Sequence, residues 1–139
     1  MIEIQSRQNA ALRHLARLGR ERKYRRSTGE MLCEGEKMLQ EAVSSDAQIT
    51  TLLVRAGRED DLPAGLLARA EQGGAALYRA PDALFALASG VETPQDVIFA
   101  CRQPQWGVEA LDGKRQVLLL DGLQDPGNLG TILRTAEAF

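Results

Sequence analysis

The sequence predicts an α/β protein whose sheet is mostly parallel and carries helices on its faces. Short apolar runs alternate with helix-periodic stretches between residues 31 and 102, the pattern of a covered parallel sheet. The chain has 139 residues, long enough for one domain with a real core and short for two. Its 44% hydrophobic and 26% charged residues are those of an ordinary globular protein. Aromatics make up only 4%, so Leu, Ala, Val and Ile must fill the core.

The first element is an amphipathic helix from Asn9 to about Tyr24, with Ser6 or Asn9 as N-cap. Ala11, Leu12, Leu15 and Leu18 share one side at helical spacing, and Arg13, Arg17 and Arg20 recur as a stripe opposite them. Tyr24 extends the stripe unless Gly19 breaks the helix. "MLCE" (31–34) reads as a strand and "GEKMLQEAVSS" (35–45) as a helix with Met38, Leu39, Ala42 and Val43 inward. A strand "ITTLLV" (49–54), an acidic loop (57–63) and a helix over 64–72 follow, the helix ending at Gly73-Gly74. "ALYRA" (76–80) is a strand, "PDALFALAS" (81–89) a helix opened by Pro81, and "DVIFACR" (96–102) a further strand. Pro104, Gly107 and Gly113 then mark a linker in which Trp106 docks as an anchor. "RQVLLLDG" (115–122) opens a second unit as a buried strand. The expected division is therefore 1–105, a linker at 106–114, and 115–139.

Charge is distributed unevenly. Residues 1–26 carry eight basic groups (Arg7, Arg13, Arg17, Arg20, Arg22, Lys23, Arg25, Arg26) against Glu3 and Glu21, while the rest holds nine basic and seventeen acidic groups. The net charge of −2 conceals this. A basic segment on an acidic body is the footprint of a nucleic-acid partner, because phosphate neutralisation dominates such binding. A solvated charged face is the bland alternative, but a helix so poor in acids repels itself unless an anion binds. No segment approaches the run of about 18 apolar residues that a membrane span requires, and the N-terminus has no apolar signal region. A cytoplasmic protein without a membrane partner is expected, with Cys33 and Cys101 as buried thiols on strands. Neither cysteine has metal-ligand spacing and His14 has no partner ligands, so no metal is expected.

The closing stretch "LDGLQDPGNLGTILRTAEAF" (120–139) reads as a strand end, a tight turn and a helix. Ligands of open α/β sheets bind at such a place, where helix N-termini point free N–H groups outward. Asp125-Pro126-Gly127 is turn chemistry and Asn128 a good N-cap. Leu129, Ile132, Leu133 and Ala136 form the face that packs on the sheet, with Arg134 nearly opposite and flanked by Gly130 and Thr131. Gly130 lowers helix stability relative to Ala, so something approaches the backbone there. The order of residues is neither a dinucleotide fingerprint nor a P-loop.

"LLLDGLQDPGNLGTILRTAEAF" closely resembles the first signature motif of the SpoU/TrmH family of RNA 2′-O-ribose methyltransferases, in the SPOUT superfamily. "IQSRQNAALRHLARL" (4–18), "RRSTGEMLCEG" (25–35), "EA" (41–42) and "TPQ" (93–95) are similar, more loosely, to that family's substrate-binding domain. Arg13 stands where the family more often has Lys, and Asp96 follows "TPQ" where Gly is common. The resemblance implies a three-layer α/β/α sandwich similar to RNA-binding ribosomal proteins, then the first strand and helix of a truncated trefoil-knot domain. It implies a homodimeric enzyme using S-adenosylmethionine on RNA, most simply 23S rRNA, with tRNA as the alternative. The motifs that hold the cofactor would lie beyond Phe139, so this chain alone is expected to be inactive and to contain no cofactor site. Arg134 and Asn128 match the motif's catalytic Arg and Asn, and Asn9, Arg13, Arg17, Arg20, Arg25 and Arg26 would contact RNA. A guanidinium stays protonated, so Arg134 is better suited to grip a phosphate or a developing alkoxide than to act as a base. Activation of that Arg as a base is the competing proposal, and Asn128 either orients Arg134 or caps the helix. A non-catalytic RNA-binding module would explain the basic helix but not "DPGNLGTILRT"; a nucleotide-binding α/β protein would fit the βα turn, but the sequence has no phosphate-loop signature.

Overall fold

The computed structural model describes residues 1–91 and 95–139, so Thr93 and Pro94 of the "TPQ" match lie outside the described residues. The chain divides into two compact units, Met1–Pro104 and Gln105–Phe139.

The first unit is built on a five-stranded sheet. In chain order its elements are β1 (Ile2–Glu3), α1 (Ala10–Arg20), α2 (Arg22–Thr28), β2 (Glu30–Glu34), α3 (Glu36–Ser44) and β3 (Ile49–Arg55). They continue with α4 (Leu66–Gln72), β4 (Ala76–Ala80), α5 (Asp82–Phe85) and β5 (Val97–Arg102). The strand order is β1-β4-β3-β5-β2. β1 and β3 flank β4 in parallel, whereas β5 runs antiparallel to both β3 and β2. The sheet is thus evenly mixed rather than mostly parallel. Val97 to Cys101 are all buried, which is how a strand covered on both faces reads in sequence. Such a run carries no information about direction, and β5 inserts between β3 and β2 in the reverse sense.

Alternation along β5 separates two cores. Val97, Phe99 and Cys101 pack with Leu39 and Ala42 of α3 and Leu66 and Ala70 of α4. Ile98 and Ala100 pack with Leu12, Leu15 and Leu18 of α1 and with Phe85. Met38 of α3 is not among the inward residues; it is about half exposed.

Asn9 starts α1 by accepting from the N–H groups of Ala11 and Leu12 at 2.9 and 3.2 Å. The helix does not run through to Tyr24. Glu21 is extended (φ −109°, ψ 102°), and α2 begins after it and ends on Gly29 in the left-handed region (φ 66°). The Arg25 side chain stabilises the break. Its Nη1 donates to the carbonyls of Leu18 (2.7 Å) and Gly19 (3.4 Å), groups that a helix end leaves without intrahelical partners. The helix expected over 81–89 shortens to α5 followed by a turn.

In the second unit a single 3₁₀ turn at Val108–Leu111 precedes α6 (Pro126–Ala138). The run 115–122 is not a buried strand. It joins no sheet, and Val117, Leu118 and Leu119 are exposed. Trp106 is 79% exposed and anchors nothing, and Leu129 and Leu133 of α6 are exposed as well. One helix and one extended segment within this unit cannot cover each other's apolar faces or satisfy a ladder. No helix among the described residues is long and apolar enough to cross a membrane.

Candidate functional site

The predicted site residues fall into two groups, one in each unit. In the first unit the cations lie on α1 and α2, and burial of Leu12, Leu15 and Leu18 turns the other side of α1 to solvent. Arg13 and Arg17 are exposed there. Arg17 is not a loose charge. Its Nε and Nη2 grip both carboxylate oxygens of Glu21 at 3.0 and 2.9 Å, and its guanidinium sits 3.8 Å from the centre of the Tyr24 ring. That grip holds the Glu21 carboxyl below the usual range and raises the Arg17 guanidinium, the hydrogen bond being the larger cause in each. Both groups are open to solvent, so salt screens the pair. The stripe therefore has one i,i+4 acid after all. Arg20 donates to the carbonyl of Leu87 at 3.2 Å, and Arg25 serves the end of α1. Arg26 is exposed on α2. The sequence of α2, "RKYRRST", places four cations on two turns without a carboxylate. Asn9 spends its side-chain oxygen on capping.

Beneath this face is a cluster that composition and spacing do not reveal. Glu30, at the start of β2, is the buried charged residue of the core. Its carboxylate lies 3.1 Å from His14 Nε2, and His14 Nδ1 lies 3.0 Å from the Tyr24 hydroxyl. A carboxylate only accepts, so Nε2 carries a proton toward Glu30, and Nδ1 shares the second hydrogen bond with the Tyr24 hydroxyl. The chain Glu30–His14–Tyr24 ties β2, α1 and α2 together and sets the basic α2 against the sheet. Residues 14, 24 and 30 share no period, and only the fold brings them together.

In the second unit α6 positions Asn128 and Arg134. The N-cap is Asp125 rather than Asn128: the Asp125 carboxylate accepts from the N–H of Asn128 at 2.8 Å, with Pro126 at the first helical position. The Asn128 side chain is thereby released from capping. Arg134 Nη2 donates to Thr131 Oγ1 at 3.4 Å, and that hydroxyl donates to the Gly127 carbonyl at 3.0 Å. A Cβ on Gly130 would lie 3.3 Å from Arg134 Nη1, so the close approach that Gly130 permits is that of the Arg134 guanidinium itself. The result is an exposed guanidinium held over bare backbone, with N–H donors left for an anion.

Comparison with known proteins places these features in a family. The family model described as "MRM3-like substrate binding domain" matches residues 9–99. The chain is 35% identical over 138 residues to the 23S rRNA (guanosine(2553)-2′-O)-methyltransferase RlmP of Bacillus subtilis, a match covering 99% of the chain and 51% of that protein. The SpoU methyltransferase AviRb from Streptomyces viridochromogenes, solved with AdoMet, superposes with a TM-score of 0.72 at 25% identity, over 94% of this chain and 50% of that one. An AdoMet-bound rRNA methyltransferase from Sinorhizobium meliloti shares the fold, with a TM-score of 0.71 at 23% identity over 98% of this chain and 50% of that one. The chain spans about half the length of each.

Proposed function

The chain belongs to the MRM3-like substrate-binding domains, homologous to the SpoU/TrmH RNA methyltransferases, and on that premise we propose that it presents RNA for 2′-O-ribose methylation. The observation that carries the proposal is that the match to RlmP covers 99% of the chain, and so extends from the basic helices to the Asn128–Arg134 helix. In this proposal residues 1–105 form a three-layer α/β/α domain of the kind found in RNA-binding ribosomal proteins and receive the substrate. Residues 115–139 open the methyltransferase domain, a trefoil knot through which the whole protein dimerises. The substrate is ribosomal, 23S rRNA, and the reaction takes place in the cytoplasm.

S-adenosylmethionine supplies an electrophilic methyl group in such chemistry. The N-terminal turn of α6 does not suit the carboxylate of that cofactor: the Asp125 side chain caps the Asn128 N–H there, and a second carboxylate beside it would be repelled. The chain's own contribution is at the acceptor. A ribose 2′-OH is a poor acid, and oxygen attack on a methyl group leaves a proton to be lost and negative charge to be stabilised. Arg134, kept cationic and held over Gly130, donates to the neighbouring phosphate or to the developing alkoxide. Asn128 orients the ribose or the guanidinium.

The test is a methyl-transfer assay on the whole protein with a 23S rRNA fragment. Arg134→Lys keeps the charge but loses the fork. The expected result is a fall in kcat of about a hundredfold or more, the scale for removing one oxyanion donor, with RNA affinity unchanged. An Arg134→Lys enzyme that keeps its kcat would remove Arg134 from the chemistry.

A further inference from the structure

Among the described residues β2 is the last strand of the sheet and pairs with β5 alone. At the two ends of that ladder Gly35 donates to the Val97 carbonyl and Gln103 donates to the Gly29 carbonyl. Antiparallel pairing alternates, so Met31 and Cys33 turn their backbone groups toward β5 while Leu32 and Glu34 turn theirs to the open edge. A cavity of about 430 Å³ lies along this edge, lined among others by Leu18, Gly19, Arg25, Leu32, Glu34 and Val91. Its size falls within the range of small-ligand sites, roughly 300–1,000 Å³.

The lining is chemically graded. Leu18 and Leu32 are apolar, and the Arg25 guanidinium is fixed by its bonds to Leu18 and Gly19. At the other end the Glu34 carboxylate already accepts from Ser89 Oγ (2.9 Å) and from the Gln95 N–H (3.0 Å). The Leu32 N–H and C=O present a donor next to an acceptor, the complement of the paired groups on the Watson–Crick edge of a base. Fixed guanidinium planes and apolar side chains accept a base by stacking. Alongside runs α2, where Arg22, Lys23 and Arg26 are exposed without an acid in the helix.

We infer that this groove takes one unstacked nucleotide of a single-stranded RNA segment, with its base on the Leu32 backbone beside the Arg25 guanidinium and its phosphate on α2. The inference rests on the RNA-binding function proposed above. It makes the domain a reader of unpaired RNA rather than only a basic surface. An extended peptide adding to the same edge is the rival occupant, but the cations of α2 favour a polyanion.

The test titrates the protein with a ten-nucleotide single-stranded RNA and with the same sequence as a duplex, following backbone amides by ¹⁵N NMR and affinity by fluorescence anisotropy. Val91→Trp fills the groove from an exposed loop position without altering a cation. The single strand should shift the Leu32 and Glu34 amides. Val91→Trp should weaken it about tenfold, the scale of one stacked base, while leaving the salt dependence unchanged. Equal affinity of Val91→Trp and the parent, or amide shifts produced by an extended peptide and not by RNA, would overturn the groove alone. Failure of the parent protein to bind either RNA form would overturn the RNA-binding function as well.

Discussion

Glu30→Ala removes the one charged residue that, among the described residues, is buried in the core of the first unit, and should be among the most damaging single changes to it. Glu30 is 6% exposed, and its carboxylate bonds to His14 Nε2 at 3.1 Å. A hydrogen bond to a charged group contributes about 1.5–3 kcal/mol, and loss of one partner also leaves the other's desolvation unrecovered. His14 keeps some exposure, which lets water replace part of the loss, so about 2 kcal/mol is expected. For a unit of Met1–Pro104 that lowers the melting midpoint by on the order of 10 °C. Thermal unfolding followed by circular dichroism measures it. Glu30→Gln, which can still accept from Nε2–H, should recover about half of the loss. The double variant Glu30→Ala/His14→Ala should cost less than the two single variants together, because the orphaned donor is gone as well. Additive losses, or a midpoint within about 2 °C of the parent, would refute the claim that Glu30 and His14 act as one unit.

Replacing Arg13, Arg17 and Arg20 together by Glu should weaken RNA binding and flatten its salt dependence, and unchanged affinity would remove that face from the interface. Since Arg17 is committed to Glu21 and Arg20 to the Leu87 carbonyl, Arg13→Glu alone should reproduce most of the effect. Asp125→Ala should cost about 1 kcal/mol and speed amide exchange at Asn128, whose N–H it caps; unaltered exchange there would contradict the cap. The hydrogen bond with Cys101 and then burial push the Cys33 thiol well above the ordinary thiol range. Iodoacetamide at pH 7.5 should therefore label Cys33 far more slowly than a free thiol, by mass spectrometry, and labelling at the free-thiol rate would contradict it. Calorimetry should detect no S-adenosylmethionine binding to this 139-residue chain, and a clear isotherm would place a cofactor site within it.

The central strands were legible because "ITTLLV", "ALYRA" and "VIFACR" are dense in apolar residues and bounded by Gly, Pro and charged turns. Their directions were not, since burial on both faces gives β5 the same signature whichever way it runs. β1 escaped because only two residues pair, and the residue that buries its side chain, Ile4, lies just beyond them. The apolar run 117–120 has the composition of a strand, but strand formation requires a partner that composition does not supply. The basic face was legible from charge alone, though not the internal bonds that occupy Arg17, Arg20 and Arg25. Asp125 could have been found, because an Asp directly before Pro is the ordinary start of a helix. Glu30 could not, since a buried acid is recognisable only once its histidine partner is placed beside it.

The most direct test of the account is the salt dependence of RNA binding by this chain. If Arg13, Arg22, Lys23 and Arg26 each neutralise one phosphate of a single strand, log K should fall linearly with log salt with a slope of about −3. No binding at low salt, or a slope near zero, would contradict an RNA-binding role for the first unit.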